Sequence, residues 1–121
     1  MSKSERRELE SRLLILLAHL LKWEYQYPML SGRWREFDGR SWRTTIVEQR
    51  KQLAVLLRQS PGLKSAFAAA VATTYPDALD LASKETRLPL DTFPAHCPYH
   101  VTRLLDDDYY PGSPESDADH D

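Results

Sequence analysis

The residues best suited to chemistry lie near the C-terminal end of the chain. His96, Cys97 and His100 fall close together, and three aspartates follow at 106–108. Imidazole, thiolate and carboxylate groups all bind zinc, but structural zinc sites use pairs spaced as C-x2-4-C or H-x3-5-H from two elements. Pro98 prevents the two histidines from sharing a helix face. The spacing therefore disfavours a metal site, and neither a metal nor another cofactor is predicted.

Cys97 is also a candidate nucleophile. A catalytic thiolate needs a helix N-terminus or a fixed histidine to lower its pKa, and donors for the oxyanion, whereas the sequence shows only neighbouring histidines. The aspartates at 106–108 do not form a calcium loop, because Pro111 stands where that loop requires glycine. His19 lies within an apolar helical pattern, which favours a structural role. No catalytic residue is predicted, and an enzyme is the least favoured class.

Charge is divided unevenly along the chain. Residues 1–64 carry 13 Lys and Arg against 7 Asp and Glu, whereas residues 65–121 carry 3 against 11. Such asymmetry can steer a polyanion to the basic half, or let the two halves attract each other in the fold. Nucleic-acid binding through residues 33–58 is therefore the alternative function. Its candidate contacts are Arg33, Arg35, Arg43, Arg50 and Lys51.

Apolar residues recur at helical spacing in the first half of the chain. The first helix is predicted from Ser4 to just before Pro28, because leucines and aromatic residues repeat at steps of three and four. A loop then leads to Ser41, which suits a helix N-cap. The second helix is predicted over residues 42–59.

A third helical pattern follows the Ser60–Pro61 corner. Its apolar residues run from Leu63 to Ala82 and stay in phase across Pro76, which predicts a kinked helix or two nearly coaxial ones. Three prolines between residues 89 and 98 then exclude a long helix, and VTRLLDD allows one short turn more. The predicted fold class is all-α, a small bundle of about three long helices with an extended Pro-rich C-terminal segment.

Length and composition agree with one small domain. The chain has 121 residues, of which 41% are hydrophobic, so a single domain is predicted over residues 1–111. Residues 112–121 are predicted to be a disordered acidic tail. Apolar runs such as Leu13–Ala18 are far too short for a bilayer, so no membrane contact is expected. A single cysteine and a charged N-terminus without signal-peptide features predict a cytoplasmic protein.

Several sequence segments are characteristic of a known family. They are KSERRELESRLLILLAHLLKWEYQYP, SWRTTIVEQRKQLAVLL, SPGLK, YPDALDLASKETRLPLDTFP and CPY. Together they resemble the bacterial family known as domain of unknown function twenty-nine, from Lys3 to about Pro111. The resemblance implies a helical fold and no established activity, and it transfers no catalytic residue.

The chain differs from that family in two places. Members usually have a further N-terminal segment of about forty residues that is predicted to be helical, and the connection LSGRWREFDG resembles an insertion. Trp23 and Trp42 lie in the shared segments, where they are predicted to wall the core. Trp34 and Phe37 lie in the variable loop.

The absent N-terminal segment leads to a prediction about partners. Leu14, Leu17 and Leu21 make the first helix apolar over more of its circumference than two neighbouring helices readily cover. An exposed apolar strip on this helix would bind a protein partner or form a homo-oligomer. A shortened fragment that folds poorly alone is the other interpretation. The favoured function is therefore a small protein-interaction module.

Overall fold

The computed structural model describes residues 2–33 and 39–112, except for the side chains of residues 31–33. The only regular secondary structure in that part of the chain is helical, with no strand, which confirms the all-α prediction. Two 3-10 helices, Pro61–Ala66 and Leu90–Thr92, lie between the α-helices. The α-helices are α1 (Lys3–Tyr25), α2 (Tyr27–Arg33), α3 (Arg40–Gln59), α4 (Phe67–Thr86) and α5 (Val101–Leu104).

The corner between the first two long helices differs from its prediction. The chain continues from α1 into the short helix α2 instead of entering a loop at Pro28. Pro28 is the second residue of α2, where the first turn needs no backbone N–H from it. Helix α3 begins at Arg40, and its N-cap is Gly39 with φ 69°, not Ser41. The candidate loop residues Trp34, Arg35 and Phe37 lie outside the described residues.

Helix α4 passes through Pro76 without interruption. Proline removes one N–H and leaves the carbonyl of the residue four positions earlier without its usual partner. That residue is Ala72, and both Ala72 and Pro76 are exposed, so water can hydrate the freed carbonyl. The prediction that the helix continues across Pro76 is therefore confirmed, and the structure has one helix there instead of two coaxial ones.

The core is built around α1, which packs against α4 and α3. Leu17 and Leu21 are completely buried, and Leu14 is half-buried. The predicted exposed strip at these three leucines is therefore wrong, because α3 and α4 cover more of α1 than expected. Among the described residues, no helix is long and apolar enough to cross a membrane.

The C-terminal segment completes this core. The chain after α4 returns to the end of α1, where the Tyr99 hydroxyl donates to Glu24 Oε1 at 2.9 Å. Tyr25 meets the ring of Phe93 edge-on, with centroids 5.4 Å apart. The segment that the sequence predicted as extended therefore packs into the core. Its buried residues are Phe93, Tyr99, Leu104, Tyr109, Tyr110 and Pro111.

Candidate functional site

One exposed stripe runs along the outer face of α3, and we call it the α3 ridge. Its members are separated by four, four, three and four residues, so they share one side of the helix over about 22 Å. The opposite side of α3 carries the core residues Ile46 and Leu53. Val47, at 54% exposure, gives the ridge an apolar centre between cations. The α3 ridge consists of Arg43, Val47, Lys51, Ala54 and Arg58.

Two shallow grooves border the α3 ridge. The first has a volume of about 450 Å³, and the second has a volume of about 400 Å³. Val47 and Lys51 line both grooves, so they lie at the centre of the surface. Glu48 adds a negative charge to the first groove, and Asp107 adds one to the second from the C-terminal segment. The surface is thus basic, with apolar atoms at its middle.

Arg50 forms the inner wall of the second groove and is only 2% exposed. Its Nε donates to the carbonyl of Leu104 at 3.0 Å, and its Nη2 donates to the carbonyl of Arg103 at 3.2 Å. The guanidinium therefore caps the C-terminal end of α5 and joins it to α3. Its centre also lies 5.5 Å from the ring centroid of Tyr110. Burial lowers the pKa of Arg50, while Tyr110 and Asp107 act in the opposite direction.

The predicted nucleic-acid contacts separate into different groups. Arg43 and Lys51 are exposed and lie on the α3 ridge. Arg50 is the exception, since its guanidinium is buried and bonded within the chain, so its prediction as an exposed phosphate contact is wrong. Arg35 lies outside the described residues, as does the side chain of Arg33.

Val47 was not among the site residues predicted from the sequence. Val47 follows Arg43 by four residues and precedes Lys51 by four, so its helical phase already placed it among the cations. An apolar residue in phase with basic ones, and out of phase with the core residue Ile46, was the available signal.

An aromatic cluster fixes the N-terminal end of the α3 ridge. Trp23 stacks on Tyr27 with ring centroids 4.5 Å apart and planes 8° apart, and its ring lies 4.9 Å from that of Tyr110. The Arg43 guanidinium lies 4.8 Å from the centroid of Tyr110. Trp23 therefore packs against the core from a half-buried position, as predicted.

Trp42 is also half-buried, and the Lys22 ammonium lies 5.8 Å from the centroid of its ring. The same ammonium pairs with Glu85 Oε1 at 2.6 Å. Lys22 is therefore held between α3 and α4 and is 7% exposed. Trp42 therefore contacts a charged group at this polar seam.

Cys97 lies in a separate cavity of about 300 Å³ between α4 and the C-terminal segment. Its thiol is half-buried and donates to the Tyr99 carbonyl at 3.6 Å. Burial raises the pKa of Cys97, which disfavours the reactive thiolate. The neighbouring Tyr75 hydroxyl donates to the Pro94 carbonyl at 2.6 Å, and burial raises its pKa as well.

His19 has a structural hydrogen bond. Its Nδ1–H donates to the Ile15 carbonyl at 2.8 Å, one helical turn earlier. Burial is the largest influence on this imidazole and lowers its pKa. Within residues 2–33 and 39–112, no three His, Cys, Asp or Glu side chains are grouped so that they could hold a metal ion.

The comparisons with known proteins point to a family and leave the function open. The family model described as "Domain of unknown function DUF29" matches residues 1–110, which includes α1 to α5 and the α3 ridge. No curated protein and no solved structure matches the chain.

Proposed function

Because the chain belongs to the DUF29 family, whose description assigns no activity, we propose from its surface that it is a protein-interaction module. Its partner would be an acidic, partly apolar segment of another protein that lies along the α3 ridge. The observation that supports this proposal is the exposed Val47 in phase with Arg43, Lys51 and Arg58. We also propose a cytoplasmic location, because a single cysteine can form no internal disulfide and so suits a reducing compartment.

The chemistry of the α3 ridge suggests the type of partner. Covering the exposed half of Val47 would contribute about 1 kcal/mol, because full burial of such a side chain is worth about 1.5–3 kcal/mol. Lys51 and Arg58 are exposed, so carboxylates can reach them from solvent. Exposed charge pairs add mainly association rate and specificity. A segment with leucine or isoleucine opposite Val47 and flanking Asp or Glu would satisfy both features.

Nucleic acid is the second candidate. Arg43, Lys51 and Arg58 lie on one face, as contacts to a phosphate backbone require. Against it, Arg50 is bonded within the chain, and Glu48 and Asp107 border the two grooves. The apolar centre of the ridge also has no role in contacts to phosphates. We therefore place the protein partner first.

Fluorescence anisotropy would test the proposed function with a defined probe. The probe is a labelled helical peptide of about 15 residues, which matches the length of the ridge, with leucine along one face and glutamate beside it. A peptide with lysine in place of each glutamate serves as its control. We expect the acidic peptide to bind and the basic peptide not to bind. Equal binding of the two peptides, or binding of neither, would contradict the proposal.

Matched variants would locate the binding surface. Lys51→Glu should weaken binding of the acidic peptide at least about tenfold, which corresponds to 1.4 kcal/mol, whereas Lys64→Glu makes the same charge change at an exposed site outside the ridge. Val47→Ser should also weaken binding, while Leu90→Ser changes a residue of similar exposure elsewhere. A labelled DNA duplex that binds more tightly than the peptide, with steep salt dependence, would favour the second candidate.

A further inference from the structure

We infer that the acidic C-terminal residues 113–121 bind in the second groove and compete with any acidic partner of the α3 ridge. Three observations support this intramolecular contact: one unsatisfied donor atom of a buried cation, the position at which the chain leaves the described residues, and the charge of those that follow. The inference uses the same surface as the proposed function but does not depend on that partner's existence.

The unsatisfied donor atom belongs to Arg50. Its Nη1 is buried and has no hydrogen-bond partner among the described residues. In the planar guanidinium, the edge formed by Nε and Nη2 faces α5, so Nη1 points away from that helix. A buried charged donor without an acceptor is destabilising. Arg50, Lys51 and Arg58 all line the second groove, so a carboxylate there would have three cationic neighbours.

The path of the chain brings an acidic segment to this place. Asp107 lines the second groove, and the following tyrosines are buried, with the Tyr110 ring beside both Arg43 and Arg50. The described residues end at Gly112. The next nine residues contain no Lys or Arg and can span at most about 30 Å, more than the length of the α3 ridge. Their acidic members are Glu115, Asp117, Asp119 and Asp121.

Composition limits this contact to electrostatics. Residues 113–121 include no apolar side chain larger than alanine apart from Pro114, so they offer little to cover Val47. The contact should therefore be weak in itself and should be helped by the millimolar effective concentration that a short tether gives. A partner with a leucine that packs on Val47 would displace residues 113–121 from the groove.

Nuclear magnetic resonance on the complete chain would test the intramolecular contact without any partner. The tail variant replaces Asp117, Asp119 and Asp121 with asparagine. The control variant removes the same charge from three exposed sites elsewhere, by Glu8→Gln, Asp77→Asn and Asp91→Asn.

At about 20 mM salt, where charges act over about 20–30 Å, the tail variant should shift the amide signals of Val47, Lys51 and Arg58, and the Nε–H signal of Arg50. About 0.5 M salt should shift the same signals in the unaltered protein and remove the difference. The control variant should leave these signals in place. Unshifted ridge signals in the tail variant, or shifts equal to those of the control, would overturn the inference.

Binding of the acidic peptide gives a second measurement. The tail variant should bind that peptide about three- to tenfold more tightly than the unaltered chain, because its competitor is weakened. If no peptide binds but the amide signals still respond, the proposed function fails and the intramolecular contact stands. If the peptide binds equally to both chains and the signals do not move, the intramolecular contact is wrong and the proposed function stands.

Discussion

Replacing Gly39 with alanine should destabilise the protein at one identifiable corner. Gly39 has φ 69°, a left-handed conformation that costs an L-residue about 1–2 kcal/mol. A Cβ atom there would lie 2.7 Å from Cε2 of Tyr27 and 3.0 Å from Cζ3 of Trp23. Moving the Tyr27 ring would disturb its stack on Trp23, which is worth about 0.5–1.5 kcal/mol. We expect a total loss of about 2–3 kcal/mol.

Urea unfolding followed by circular dichroism would measure this loss, and two other glycines supply controls. A Cβ at Gly112 meets nothing within 4 Å although φ is 84°, so Gly112→Ala isolates the backbone cost. A Cβ at Gly62 also meets nothing, and that residue lacks a positive φ, so Gly62→Ala should be neutral or stabilising by about 0.4–1 kcal/mol. If Gly39→Ala costs no more than Gly112→Ala, the aromatic contact has no energetic weight. A loss no larger than that of Gly62→Ala would refute the whole argument.

Three further measurements address buried polar groups. Arg50→Met should lower the free energy of unfolding by about 1.5–3 kcal/mol and speed hydrogen exchange around Leu104, since charged hydrogen bonds are lost; normal exchange there would contradict the capping role. Because burial lowers the folded-state pKa of His19 below 6.5, the unfolded chain binds the proton more readily, so stability should fall as pH drops through about 6.5. In His19→Gln, the decline of the urea midpoint between about pH 7.5 and about pH 5.5 should be smaller, and an equal decline would exclude His19 as its source. Cys97 should react with iodoacetamide more slowly than a free thiol in the folded protein at pH 7 and quickly in urea, whereas fast reaction in both would contradict its raised pKa.

The long helices could be predicted because their pattern is local. Apolar spacing identified all three, and the pattern even continued correctly across Pro76. The corner before α3 could not be predicted in the same way. Ser41 is a good cap by local preference, but the position beside the Tyr27 and Trp23 rings leaves no space for a side chain at residue 39. That constraint comes from residues earlier in the chain.

The candidate site could be predicted only in part, because helical phase is local whereas the burial of a side chain depends on residues far away in the sequence. Helical phase alone places Arg43 and Lys51 together on the surface. Arg50 is adjacent to Lys51 in sequence, yet its partners are carbonyls of α5, more than fifty residues later. Only the tertiary path of the C-terminal segment separates the buried cation from the exposed ones. The burial of Leu17 and Leu21 also depends on long-range packing.

The return of the C-terminal segment to α1 has a consequence during protein synthesis. Translation supplies α1, α3 and α4 first, and the 25 residues from Arg87 to Pro111 then take roughly 1–5 s at about 5–20 residues per second. Throughout that interval Arg50 lacks the carbonyls of α5, and the core lacks Leu104 and Tyr110. A nascent chain at this stage exposes apolar surface of the kind that chaperones bind. Ribosomal stalling before Leu104 would therefore leave a core without its final covering residues.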